Sequence, residues 1–237
     1  MLDTITVTKR NGRIEPLDIS KIQKHTHAAV EGLEGVSQSE LEVDAKILFK
    51  DKITTEEIQQ TLIKTAVDKI DVDTPNWTFV AARLFLYDLY HKVTGWTGYK
   101  KLEDYFIQGE KEGKLICGIK EKYDLAFLDS HIKPERDLQF NYLGIKTLYD
   151  RYLLKDANNH PIELPQHMFM AIAMFLAQNE TDCNAWAVKF YDMISSFEVI
   201  CATPTLANAR TTRHQLSSCF VGSTPDNIEG IFDAYKE

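Results

Sequence analysis

The chain opens with a period-two pattern. Ile5 and Val7 alternate with Thr6 and Thr8 before Lys9 and Arg10, as in a half-buried strand, and Asn11-Gly12 is the two-residue hairpin signal, so Arg13–Leu17 is predicted to return as a second strand. From Asp18, a good N-cap, the period lengthens to that of a helix carrying Ile22, Thr26, Ala29, Val30 and Leu33, stopping near Gly32 or Gly35. Ser37–Glu40 is a capping box opening a second helix to about Phe49. Thr54–Glu57 opens a third, striped by Ile58, Leu62, Ile63, Ala66, Val67 and Ile70. Thr74-Pro75 predicts a fourth helix with proline at its first position, burying Trp77, Val80, Ala81, Leu84 and the ring of Tyr87. Residues 1–95 thus read as one unit, a hairpin with a four-helix cluster.

Residues 96–200 read as a helical domain with one small ribbon. Asn141–Tyr152 is a predicted helix, and Leu153-Leu154 and Pro161-Ile162 flank the turn-like Asp156–His160. Leu164-Pro165-Gln166 opens an apolar helix to Ala177, with Met168, Phe169, Ile172, Phe175 and Leu176 as core, and Trp186–Ile194 forms the next. The longest apolar run, Met168–Ala177, is ten residues, the length of a buried helix rather than a membrane span.

Composition narrows the classes. A chain of 237 residues with 44% hydrophobic and 26% charged residues is globular. A net charge of −8 argues against a bulk nucleic-acid binder. Cys117, Cys183, Cys201 and Cys219 stand far apart, which excludes a zinc ribbon and a disulfide scaffold. Cys117 and Cys183 are expected as small buried apolar residues. No histidine has metal-ligand spacing, so no metal is expected, and no glycine-rich phosphate loop occurs. Charge within the first dozen residues and the lack of an apolar core argue against a secretory signal, so a reducing cytoplasm is expected.

Two tracts carry candidate chemistry. Up to Lys24, five cations (Lys9, Arg10, Arg13, Lys21, Lys24) face three carboxylates (Asp3, Glu15, Asp18). Cations on a hairpin rim beside a helix N-terminus make a phosphate cradle; a solvated charged turn has the same composition, and the pattern leaves both readings open. Between Glu198 and Asp226 there is no acidic residue, while Arg210, Arg213 and His214 stand among Thr203, Thr205, Thr211, Thr212, Ser217 and Ser218, a set suited to an anion. Thr203-Pro204-Thr205 is expected to be extended or turned. Leu216–Val221 reads as a buried strand holding Cys219, either an inert core thiol or a redox one.

The run Val7–Gly12, then Glu15, then Asp18–Ile22, resembles the ATP-cone, the nucleotide-sensing module of many ribonucleotide reductases. The resemblance implies ATP and dATP as allosteric effectors, ATP favouring an active assembly and dATP an inhibited one. It implies contacts from Lys9, Arg10, Glu15, Pro16, Leu17, Asp18, Ile19, Ser20, Lys21 and Thr55, with His91 where the family carries a cation, or Lys92 in its stead.

Ala202–Asn208 followed by Gln215–Cys219 is similar to the start of the catalytic barrel in the large (alpha) subunit of class I ribonucleotide reductases, which make deoxyribonucleotides for DNA synthesis. The resemblance implies that Thr203, Ser218 and Cys219 bind the substrate's ribose and diphosphate. Cys219 is then catalytic, one of two thiols that close to a disulfide as the 2′-hydroxyl is replaced. Asp226, Asn227 and Ile228 would edge a specificity-effector site, on a helix capped by Asp226–Glu229. Arg210 stands where the family has a small residue, so the local loop is expected to differ.

The implied fold is mainly α: an ATP-cone (1–95), a helical domain (96–200), and the first strand and helix of a ten-stranded α/β barrel (201–237). The implied partners are a radical-generating small subunit, the remainder of the large subunit, further copies of it, and thioredoxin or glutaredoxin as reductant; neither nucleic acid nor membrane is expected. The radical-forming loop and the second thiol have no counterpart in these residues, so the chain alone is expected to be inactive. The alternative is a free-standing ATP-cone regulatory module.

Overall fold

The computed structural model describes residues 5–95 and 98–236. Met1–Thr4, Trp96, Thr97 and Glu237 lie outside the described residues, and with them Asp3 of the charge count and the expected boundary residue Trp96.

Strands β1 (Thr6–Thr8) and β2 (Ile14–Pro16) pair antiparallel, Val7 opposite Glu15, and β3 (Ile53–Thr54) joins the other edge of β1 in parallel. The hairpin is wider than the two-residue turn expected. Lys9 N–H donates to Arg13 O at 2.8 Å and Gly12 N–H to Lys9 O at 2.8 Å. Among loop residues 9–13 only Gly12 has positive φ, at +80°. A two-residue I′ turn needs positive φ at both central positions, so the chain instead closes the loop on one left-handed glycine.

Helix α1 (Ile19–Val30) is capped by the Asp18 carboxylate, which accepts from Ser20 N–H at 3.0 Å. In α2 (Gln38–Lys46) only half of the expected capping box forms. Ser37 Oγ accepts from Glu40 N–H, while the Glu40 carboxylate turns to Lys69 at 2.6 Å. The box of α3 (Thr55–Asp68) is complete: Thr54 Oγ1 accepts from Glu57 N–H at 3.0 Å and Glu57 Oε2 from Thr54 N–H at 2.8 Å. Helix α4 (Trp77–Thr94) starts two residues after Pro75, because Thr74–Asn76 form a turn whose carbonyls accept from Trp77 and Thr78.

These elements bury Val7, Leu41, Ile53, Leu62, Trp77 and Leu84 in one core. A second core, with Phe106, Leu128, Ile145, Met168, Ile172 and Tyr191, is built by α5 (Leu102–Lys111), α6 (Leu125–Asp129), α7 (Tyr142–Arg151), α8 (Pro165–Ala177) and α9 (Cys183–Ser195). Helix α4 belongs to both, giving Val80, Ala81 and Leu84 to the first and Ala82, Leu86 and Leu89 to the second. The fold is mainly helical, as expected, with a three-stranded sheet at its N-terminal end. The ribbon also forms: Ile162 N–H donates to Leu154 O at 3.0 Å, and Lys155 bridges Pro161. Of the expected α8 core, Phe175 and Leu176 are only half-buried.

Four expectations need correction. Thr203-Pro204-Thr205 is not extended; it starts a short helix, α10 (Thr203–Asn208), because proline suits the first helical turn. Leu216–Val221 forms no strand, since nothing among the described residues pairs with it, and Phe220 and Val221 are exposed. In α11 (Ile228–Lys236) the cap falls one residue later than Asp226: Asn227 Oδ1 accepts from Gly230 N–H at 2.7 Å. Cys117 is exposed rather than buried, and Cys183 is half-buried at the head of α9, its thiol donating to Lys122 O at 3.2 Å.

Candidate functional site

A cavity of about 630 Å³ lies between the hairpin and helices α1, α3 and α4. Lys9 and Arg10, from the widened hairpin loop, are among its lining residues. Because β3 runs parallel to β1 and leads directly into α3, Thr55 arrives beside Lys9 and Arg10. A smaller recess of about 300 Å³, lined by Thr8, Lys9, Arg10, Thr54, Thr55 and Glu56, opens next to it. The cavity's apolar wall comes from Val7, Leu17, Ile22, Ile58 and Leu62. Its polar rim holds the ion pairs Lys9–Glu15 at 3.0 Å and Lys21–Asp18 at 3.7 Å. The Asp18 carboxyl is held below its ordinary range, chiefly by the Ser20 hydroxyl that donates to it at 2.6 Å. On the α1 side, burial pushes the His25 imidazole below its usual value, and the ring tilts against Tyr87 with centroids 4.8 Å apart.

Of the effector residues named from the sequence, Lys9, Arg10, Glu15, Leu17, Asp18, Lys21, Thr55 and His91 line this one cavity. Pro16, Ile19 and Ser20 do not; Ser20 is spent on capping, as a donor to Asp18. Sequence reasoning missed Asn11, His25, Gln59 and Asp88, together with Val7, Ile22, Ile58 and Leu62 of the apolar wall. The spacing of Thr55, Ile58, Gln59 and Leu62 on α3, and of Asp88 and His91 on α4, marks one helix face in each case, and that was the available signal.

The acid-free tract is arranged differently from its anion-binding reading. Arg210 is fully buried and not available to a ligand. Its Nε donates to Glu163 Oε2 at 3.0 Å, its Nη2 to Glu163 Oε1 and to Tyr152 O at 2.7 Å, and its Nη1 to Leu206 O at 2.7 Å. A buried bidentate guanidinium–carboxylate pair is a structural clamp, which ties α10 to the ribbon. Thr203, at the head of α10, is exposed and lies 3.1 Å through its hydroxyl from the Tyr152 hydroxyl. Ser218 and Cys219 are exposed, with Ser218 Oγ 3.7 Å from Cys219 Sγ, and Asp226, Asn227 and Ile228 are exposed as well. Cys201 is half-buried, and burial raises its thiol above the ordinary value.

Among the described residues no group of three or more His, Cys, Asp or Glu side chains is placed to hold a metal ion. No helix there is long and apolar enough to cross a membrane.

Comparison with known proteins assigns both halves of this arrangement. The family described as ATP cone domain matches residues 5–92, and that described as ribonucleotide reductase, all-alpha domain, matches residues 138–214. The ribonucleoside-diphosphate reductase subunit alpha of Helicobacter pylori (strain J99) is 77% identical over 233 residues, covering 98% of this chain and 30% of that protein. Subunit alpha of ribonucleoside-diphosphate reductase 1 from Salmonella typhimurium is 33% identical over 238 aligned positions, 98% of this chain and 31% of its own length. The Treponema pallidum subunit alpha is 36% identical over 196 residues, 78% of this chain and 23% of that protein. The chain thus spans less than a third of the length of these relatives. It belongs to the ribonucleotide reductase alpha-subunit family and corresponds to the N-terminal region, an ATP cone followed by the all-alpha domain.

Proposed function

We propose that this chain is the effector-sensing N-terminal region of a ribonucleoside-diphosphate reductase α subunit, binding ATP and dATP in the 630 Å³ cavity. The observation that carries this reading is the convergence of Lys9, Arg10 and Lys21 on the rim of a cavity walled by Val7, Ile22, Ile58 and Leu62. Cations at the mouth attract phosphates, and hydrocarbon inside takes the flat face of a base. The carboxylates of Glu15 and Asp18 are acceptors for ribose hydroxyls, whose number distinguishes ATP from dATP. Thr55 adds a hydroxyl and a backbone N–H at the head of α3, and Pro16, Ile19 and Ser20 shape the entry without lining it. His91, with Lys92 beside it, completes the phosphate end.

In the whole subunit the nucleotide bound here favours an active assembly when it is ATP and an inhibited one when it is dATP. Thr203, Ser218 and Cys219 take the substrate's ribose and diphosphate. The Cys219 thiol and a second thiol deliver two electrons and two protons: the ribose C–OH becomes C–H, water leaves, and the sulfurs close to a disulfide. Asp226, Asn227 and Ile228 edge the specificity-effector site. A small subunit supplies the radical, further α subunits complete the assembly, and thioredoxin or glutaredoxin reopens the disulfide in the reducing cytoplasm.

Calorimetric titration of the chain with ATP and with dATP tests the cavity assignment. Saturable binding of both is expected, weakened about tenfold or more in Lys9→Ala, the scale of one lost charge-assisted hydrogen bond. No saturable binding, or binding undiminished in Lys9→Ala, overturns the reading.

A further inference from the structure

Each rim cation of the cavity has an internal carboxylate, but the three pairs differ in kind. Glu15 and Asp18, the partners of Lys9 and Lys21, have side chains 40% and 44% exposed, so water and salt screen them. Asp88, the partner of Arg10, is 4% exposed. Its Oδ1 accepts from Arg10 Nη2 at 3.4 Å, and its Oδ2 accepts from Lys92 Nζ at 2.7 Å and Gln60 Nε2 at 3.4 Å. Arg10 Nη1 also lies 2.9 Å from His91 Nε2, and since a guanidinium only donates, the imidazole accepts there. The Arg10 guanidinium is therefore folded back onto α4.

Resting on the nucleotide reading of the cavity, we propose that Asp88 is a built-in counter-anion that competes with the nucleotide's phosphates for Arg10 and so sets the affinity of the site. The competition is steeper for Asp88 than for Glu15 or Asp18, because its carboxylate is the one of the three that lies out of water, while the Arg10 side chain is itself 40% exposed and within reach of a ligand. The exchange is feasible because Asp88 is not stranded when Arg10 leaves it. Lys92 and Gln60 stay on Oδ2, and Lys92 is further held by Glu56 at 3.7 Å. Adenosine, which has no phosphate, gains nothing from the exchange.

The test is calorimetry on the 237-residue chain and its Asp88→Asn variant, with ATP and with adenosine. Asparagine keeps the shape and an acceptor oxygen while removing the charge. ATP is expected to bind about tenfold tighter to the variant, the scale of one close charge pair released, with adenosine binding unchanged. Unchanged or weaker ATP binding, or an equal gain for adenosine, overturns the proposal. If the unaltered chain binds ATP but the variant gains nothing, the counter-anion idea alone falls; if neither binds any adenine nucleotide, the cavity assignment falls with it. A second measurement avoids the variant. In nuclear magnetic resonance spectra of the unaltered chain, ATP is expected to shift the Arg10 Nε–H and Asp88 carboxyl carbon signals while adenosine leaves both in place. ATP binding that leaves both unmoved also overturns the proposal.

Discussion

Glu163 and Arg210 form an ion pair whose two side chains are 0% and 1% exposed. Glu163 also accepts from Tyr105 Oη at 2.6 Å and from Leu154 N–H at 2.7 Å, so the pair fastens α5, the ribbon and α10 together. Removing one partner leaves a buried, uncompensated charge. Arg210→Ala is expected to lower unfolding stability by about 3–5 kcal/mol in urea titration. The double variant Arg210→Met, Glu163→Gln, with no charge to strand, should recover much of that loss. A double variant no more stable than Arg210→Ala would show that the charge is not the cause.

Asp137 and His167 titrate in opposition. Burial pushes the Asp137 carboxyl up to about 6, against the pull of Tyr90, Tyr99 and Gln166, which all donate to it. Burial pushes the His167 imidazole down to about 4; its Nε2 donates to Lys100 O at 2.9 Å, and its Nδ1 has no hydrogen-bond partner among the described residues. A carboxyl raised in the folded state stabilises below its unfolded value and loses that contribution as pH rises through about 6. An imidazole lowered in the folded state stabilises above its unfolded value and loses that contribution as pH falls toward about 4. The two effects, each at most about 3 kcal/mol, largely cancel in the unaltered chain. In urea titrations between pH 6.5 and 4.5, Asp137→Asn is expected to lose stability on acidification and His167→Gln to gain it. Parallel profiles for the two variants would contradict this assignment.

Gly109 is the close approach between α5 and the chain that returns from it. A Cβ there would lie 2.4 Å from Leu115 Cδ1 and 2.5 Å from its Cγ, and Leu115 is fully buried. Gly109→Ala is therefore expected to cost about 1–3 kcal/mol by overpacking. Adding Leu115→Ala should relieve part of that cost, so a strictly additive double variant in thermal melts would exclude the contact as its origin.

The four thiols differ in access, and alkylation should report it. Cys117 and Cys219 are exposed, whereas Cys183 and Cys201 are half-buried. Timed iodoacetamide labelling, mapped by mass spectrometry, is expected to modify Cys117 and Cys219 well before Cys201, whose thiolate is also disfavoured by burial. Labelling of Cys201 ahead of Cys219 would contradict the exposed placement of the 216–221 segment.

What the linear chain carried is chiefly local. The Thr54–Glu57 box, the Asp18 cap, Pro165 at the head of α8 and the stripes of α1, α3, α4 and α8 rest on bonds and spacings within a few residues, so composition in a short window is enough. The cationic hairpin and Thr55 were legible for the same reason. Asp88 was not: only the folding of α4 against the hairpin brings it to Arg10, across 78 positions of chain. Arg210 looked like an anion ligand because its partner Glu163 lies 47 residues away, and local charge counting cannot see a distant carboxylate. The tract around Cys219 looked like a buried strand by its residue types, yet a strand exists only where a neighbour accepts its hydrogen bonds. Tertiary contact alone decided which charges face a cavity, which cancel in the core, and which segments are left in water.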